Sequence, residues 1–292
     1  MASGKRAAQA SAAVDAIIDG GVAGDGGDGG QSAIPLDRPS VVDDGIYRRL
    51  YFGPAYIQSE MSVEDPLALQ LAYTRRMMAA LLFLPRPKHI VIAGLGGGSL
   101  TKFCHHHLPK TRITTLEIDP RVIALAPAFQ VPVDDPRSRI IEAEACAWFA
   151  SADERYDLVL LDGYTETGIA SGFGSPQFYA DIRAGLRPGG IVVANILVTS
   201  AVLRQYRQVI DAAFDGRTII QRVVPDGNSV VFAFNALASP PDWLAIGREA
   251  KKLETRLGLD FPAYARAMRR AYERTPAEAA ALAASQEEMN LL

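Results

Sequence analysis

The 292-residue chain has no apolar stretch approaching the ~20 residues that a membrane-spanning helix requires. Its longest candidate, around Met77–Leu84, stops at Pro85. Positive charge is not in excess either. Against 33 Asp and Glu stand 30 Lys and Arg, for a net charge of −3. A nucleic-acid binder needs clustered cations facing phosphates, so neither nucleic acid nor membrane is an expected partner. Two cysteines, Cys104 and Cys146, are too few for a disulfide framework and point to a reducing, cytoplasmic setting. Histidine is scarce, with three of four in the run His105-His106-His107. Consecutive helical residues point about 100° apart, so this run does not converge on one ion and no metal is expected. The first forty residues contain no Phe, Tyr or Trp and include Gly24-Asp25-Gly26-Gly27-Asp28-Gly29-Gly30. One short, irregular Gly-Asp run is weak evidence for a calcium repeat. Residues 1–40 are instead read as a disordered tail that buries too little apolar surface to offset its chain entropy.

What is present divides the rest into three parts. In 41–84, Ile46-Tyr47-Arg48-Arg49-Leu50-Tyr51-Phe52 and Ala55-Tyr56-Ile57-Gln58-Ser59 flank Gly53-Pro54, which suggests a β-hairpin. Asp65-Pro66 then reads as the cap and first turn of a helix reaching Pro85, with Leu67, Leu71, Met78 and Leu82 on its apolar face. In 85–238, apolar strands alternate with helical stretches: 89–93, 112–117, 139–142, 156–162 and 191–195. Such alternation implies a parallel sheet covered on both faces. Two further strands, 218–224 and 229–234, are separated only by Pro225-Asp226-Gly227-Asn228 and form an antiparallel hairpin. The fold class is therefore α/β: a Rossmann-like methyltransferase fold, with a short N-terminal β-hairpin region and C-terminal helices in 239–292.

Ligands of open α/β sheets lie beyond the carboxyl ends of the strands, and four features fall there. Gly94-Leu95-Gly96-Gly97-Gly98-Ser99 joins the first parallel strand to a helix. Its glycines let a ligand approach the backbone, although a tight turn alone also uses them. Glu117 ends the second strand, where an acid about 20 residues past the loop can accept hydrogen bonds from ribose hydroxyls. Asp119 is placed to cap the helix at Pro120. Glu144, after the third strand, is either an acceptor for an adenine amine or a solvated acid. Asp162, ending the fourth strand, is a general base, an ammonium binder, or a cap for the loop that follows.

These segments, with the helix carrying Tyr73, Asp135-Pro136-Arg137, Phe178-Tyr179 and Leu186-Arg187-Pro188-Gly189-Gly190-Ile191, resemble the spermidine synthase family of aminopropyltransferases from about Gly45 to Phe234. The resemblance implies transfer of an aminopropyl group from decarboxylated S-adenosylmethionine, as co-substrate, to an amine or polyamine, with methylthioadenosine released. It further implies that Gly94, Gly96, Gly97 and Gly98, with Glu117 and Glu144, hold the nucleoside. Asp162 then accepts the proton of the attacking amine, and Gln58 and Tyr73 line the acceptor channel, while Glu166 and the hydroxyl of Tyr164 are candidates to help Asp162 hold the ammonium. A homodimer is also implied. The sequence departs from the family pattern where Gly97 replaces a loop acid, where Thr165 replaces the second acid after Asp162, and where Glu144 replaces Asp. A charged hydrogen bond to an amine is worth about 1.5–3 kcal/mol, so these positions matter. Two other readings share the fold: a methyltransferase using intact S-adenosylmethionine, and a non-catalytic nucleoside-binding protein.

Overall fold

The computed structural model describes residues 39–274, apart from 53–56, 134, 166–167, 170, 197–199, 224–226 and 239. The tail predicted over 1–40 and the end of the chain beyond 274 thus lie almost wholly outside the described residues. An N-terminal antiparallel sheet comes first, in the order β1 (Ser40–Asp43), β2 (Tyr47–Tyr51), β3 (Ile57–Ser62). The β2–β3 pair is the predicted hairpin. Strand β1 was not foreseen: its four residues fall across the boundary drawn at 40. It is fixed by the turn at Gly45 (φ +82°), where Asp44 Oδ1 accepts the backbone N–H groups of Ile46 and Tyr47 at 2.9 and 2.7 Å. Leu50 and Met61 bury this sheet against Leu125, Phe129 and Val131.

The helix expected from Pro66 begins later. Helix α1 spans Ala72–Met77 and tightens into a 3-10 turn over Met78–Leu82. Residues 65–71 turn instead, because Asp65 Oδ1 accepts from Leu67 N at 3.3 Å. The Arg75 guanidinium donates to the carbonyls of Leu69 and Gln70, both at 2.5 Å, and these would otherwise serve a helix. Met77 through Leu82 are all buried.

The main domain continues as β4 (His89–Ala93), α2 (Ser99–His107), β5 (Arg112–Glu117), α3 (Pro120–Leu125), β6 (Ser138–Glu142), α4 (Ala145–Ser151) and β7 (Tyr156–Leu161). A two-residue hairpin, β8 (Tyr164–Thr165) with β9 (Gly168–Ile169), precedes α5 (Pro176–Gly185), β10 (Leu186–Ile196) and α6 (Ser200–Ala213). The chain closes with β11 (Thr218–Val223), β12 (Asn228–Phe234), α7 (Trp243–Leu257) and α8 (Phe261–Glu273). Seven strands form one sheet in the order β11-β12-β10-β7-β4-β5-β6. Its five-strand parallel part and antiparallel β12 match the predicted topology. Strand β10 starts five residues earlier than predicted, with its register broken between Leu186 and Ile191 by Arg187-Pro188-Gly189-Gly190. Asp119 caps α3 as expected, accepting from Arg121 N at 2.8 Å. Asp242 and Asp260 cap α7 and α8, which cover one sheet face together with the 3-10 turn. Helices α4, α5 and α6 cover the other. No helix among the described residues is long and apolar enough to cross a membrane.

One buried group works against this packing. Lys102 on α2 is 2% exposed, and its Nζ has no hydrogen-bond partner among the described residues. Burial, followed by the nearby charge of Arg48, pulls its ammonium down from 10.5 to about 8. Below about pH 8 the folded state carries this charge in a buried place. Between about 8 and 10.5 the unfolded chain binds more protons than the folded one, so stability rises with pH. Lys102→Met is expected to raise the melting temperature at pH 7, by up to about 3 kcal/mol of stability. It should also remove the wild-type gain across that alkaline window. Thermal melts from pH 7 to 10.5 check both, and an unchanged or lower melting temperature at pH 7 contradicts the expectation.

Candidate functional site

Parallel pairing brings the carboxyl ends of β7, β4, β5 and β6 into one row. Adjacent strands lie about 4.8 Å apart, so the residues following β7 and β6 are separated by about 14 Å. That span suits a nucleoside with a short chain attached. A cleft partly open to solvent runs along this row.

Gly94 sits at its centre with φ +102°, and a Cβ there would lie 2.3 Å from the carbonyl oxygen of Asp162. Asp162 N donates to Ala93 O and Gly94 N to Leu116 O, both at 2.9 Å, so three strand ends are tied together across this glycine. Gly94 and Gly96 line the cleft. Gly97 and Gly98 lie close against other residues. A Cβ on Gly97 would come within 2.6 Å of Ser59 Oγ and 3.0 Å of Phe129, and one on Gly98 within 2.3 Å of Val131. Ser59, from β3, therefore occupies the space that a side chain at position 97 would need.

The carboxylates take up distinct positions. Glu117 accepts from Leu95 N through Oε2 at 2.9 Å and from Asp119 N through Oε1 at 3.0 Å. It is thus clamped to the glycine loop while lining the cleft. Glu144 also lines the cleft and caps α4, with Cys146 N donating to Oε1 at 2.9 Å and Ala147 N to Oε2 at 2.7 Å. Burial raises its pKa, but these amide hydrogen bonds outweigh it and leave the carboxyl below its ordinary value. Capping by Glu144 was not foreseen, because Glu is an uncommon N-cap.

Asp162 is held by side chains from two further elements. Tyr73 OH, on the first turn of α1, donates to Oδ2 at 3.1 Å, and Asn195 Nδ2, near the end of β10, donates to Oδ1 at 2.8 Å. Burial pushes the Asp162 carboxyl above its ordinary value, and the Asn195 and Tyr73 hydrogen bonds oppose that rise. Gln58, Tyr73, Leu71 and Phe173 complete this part of the cleft. Tyr164 follows in β8, and Glu166 lies outside the described residues. Sequence reasoning missed Asn195, although a polar residue near the end of the apolar run Ile191–Ile196 was a visible signal. Among the described residues no group of three His, Cys, Asp or Glu side chains is arranged to hold a metal ion.

The spermine/spermidine synthase domain family matches residues 70–236. The polyamine aminopropyltransferase of Chromobacterium violaceum is 32% identical over 241 residues, covering 82% of this chain and 92% of that protein. The crystal structure of spermidine synthase from Thermotoga maritima gives a TM-score of 0.60 at 19% identity, over 88% of this chain and 89% of that one. A spermidine synthase in complex with the transition-state analogue AdoDATO gives 0.58 at 18% identity, over 80% and 85%. At such identities the two structures bear on the fold, and they share the Rossmann-like architecture seen here. The sequence match carries the relationship further, and the chain belongs to the spermine/spermidine synthase family.

Proposed function

We propose that the protein is an aminopropyltransferase that moves an aminopropyl group from decarboxylated S-adenosylmethionine to an amine and releases methylthioadenosine. The observation that carries this reading is Asp162. Its carboxylate is held by Tyr73 and Asn195 beside the glycine loop, in a chain whose relatives are polyamine aminopropyltransferases. A methyltransferase reading is not favoured by those relatives.

In the proposed reaction the nucleoside lies along the row of strand ends. Glu117 accepts from the ribose hydroxyls, Glu144 accepts from the adenine amine, and the backbone at Gly94 and Gly96 admits the donor closely. The acceptor approaches past Gln58, Tyr73, Tyr164 and Glu166. An alkyl ammonium has no lone pair, so it must lose a proton before it attacks. Asp162 orients it and takes that proton, and a pKa raised by burial makes the carboxylate a better base. The freed nitrogen lone pair forms a bond to the methylene carbon attached to sulfur. The carbon–sulfur bond breaks with its electrons going to sulfur, which turns the sulfonium into the neutral thioether of methylthioadenosine. With Ser59 and Phe129 filling the space beside Gly97, the loop contributes no acid to the donor's amine.

A cytoplasmic homodimer fits the same reading. Val42, Ile46, Ile57 and Val63 are exposed apolar residues in or beside the N-terminal sheet and offer a surface for a second copy. Light scattering should give twice the chain mass at micromolar concentration, and a monomer there contradicts this.

Two variants separate the roles within the site. Asp162→Asn keeps the size and most of the hydrogen bonding but cannot take the proton. It should lower turnover by about 10²–10⁴ and leave methylthioadenosine affinity nearly unchanged. Glu117→Gln should weaken methylthioadenosine binding several-fold in isothermal titration. Full turnover by Asp162→Asn contradicts the mechanism, and unchanged affinity in Glu117→Gln contradicts the ribose assignment.

A further inference from the structure

Asp162 is the first member of a chain of side chains that leaves the cleft. Asn195 Nδ2 donates to Asp162 Oδ1 at 2.8 Å, and Asn228 Nδ2 donates to Asn195 Oδ1 at 2.7 Å. Asn195 and Asn228 are buried, 5% and 4% exposed. The topology explains their meeting. Strand β12 runs antiparallel to β10, so its first residue, Asn228, comes level with the carboxyl end of β10, where Asn195 follows Ala194. The turn into β12 is set by Gly227, with φ +73° and its N–H donating to Val223 O at 3.1 Å.

An amide side chain has one face that donates and one that accepts. If Asn195 were flipped, its oxygen would face the Asp162 carboxylate and its NH₂ would face the NH₂ of Asn228. With the Asp162 carboxylate accepting on one side and Asn228 donating on the other, Asn195 is held in the orientation in which it gives its N–H to Asp162. We propose that Asn228 is a positioning residue for the reaction, acting through Asn195 to hold the Asp162 carboxylate in its ionised, proton-accepting orientation. The antiparallel hairpin thereby contributes to the chemistry without touching a ligand. Around Asp162, Tyr73 from α1 is titratable and directly bonded, while Glu117 and Glu144 line the same cleft. None of these three contacts Asn228 in the hydrogen bonds described, so its influence runs through the amide of Asn195.

This inference rests on Asp162 being the base, and the test keeps the two apart. In the full chain, the Asp162 carboxyl is followed by ¹³C NMR titration, and kcat is measured with decarboxylated S-adenosylmethionine and an accepted amine. Asn228→Ala should move the Asp162 midpoint upward, because the Asn195 donor that favours the ionised form is loosened, and lower kcat by about tenfold through loss of the carboxylate's orientation, the scale of one lost hydrogen bond. Methylthioadenosine affinity should hold. In an Asn195→Ala background, Asn228→Ala should add little, because a residue acting through another is non-additive with it. A folded Asn228→Ala protein with an unmoved midpoint, or full additivity with Asn195→Ala, overturns the inference. If Asn228→Ala does not fold, the wild-type chain decides. Side-chain amide signals of both Asn195 and Asn228 should shift as Asp162 titrates, and an Asn228 signal indifferent to that titration overturns it. If Asp162→Asn retains full turnover, the base assignment fails, while the NMR result on Asn228 still stands or falls separately.

Discussion

The site depends on a contact that excludes a side chain. Gly94 lies so close to the backbone of Asp162 that a Cβ would come within 2.3 Å of the carbonyl oxygen. Its φ of +102° is one that L side chains rarely adopt. Because no side chain intervenes, the ends of β5, β4 and β7 are stitched by main-chain hydrogen bonds through Leu116 O, Gly94 N, Ala93 O and Asp162 N. The carboxylates that follow these strands are thereby carried into one crevice. Were this approach relaxed, Glu117 would lose the loop amide of Leu95 and Asp162 would lose its register against Tyr73.

The three acids are held by different physics, and the roles proposed for them follow that division. Glu117 and Glu144 are anchored by backbone N–H groups, from the glycine loop and from the first turn of α4. At Glu144 the amide donors outweigh burial and hold the carboxyl below its ordinary value, which suits the acceptor role proposed for it. Asp162 is held by neutral side chains in a more enclosed setting, where burial raises its pKa above the ordinary carboxylate value. A base that must accept a proton benefits from that shift, which agrees with the role proposed for Asp162.

The sheet was legible in the sequence because its strands are apolar runs of the right length, and because only four residues separate the last two. Glu117 and Asp162 were legible for the same reason, since a charged residue ending such a run has to emerge at the sheet edge. What could not be read depends on specific side-chain contacts, local as well as long-range. Helix α1 starts at Ala72 because Asp65 and Arg75 capture local backbone groups, although Asp65-Pro66 alone reads as a helix start. That shift places Tyr73 on the first turn, opposite Asp162. Asn195 and Asn228 are separated by 33 residues and meet only because β12 returns antiparallel beside β10. The space beside Gly97 is filled by Ser59 and Phe129, two residues remote from it in sequence and from each other. Local propensity says nothing about such meetings.

The central claim is aminopropyl transfer, and product analysis tests it most directly. The full chain is incubated with decarboxylated S-adenosylmethionine and a panel of mono-, di- and polyamines, with a parallel series using intact S-adenosylmethionine. Mass spectrometry should find methylthioadenosine formed in step with an acceptor one aminopropyl group heavier, and only in the decarboxylated series. Methylated acceptor with S-adenosylhomocysteine from the intact donor, or no product from either donor across the panel, would contradict it.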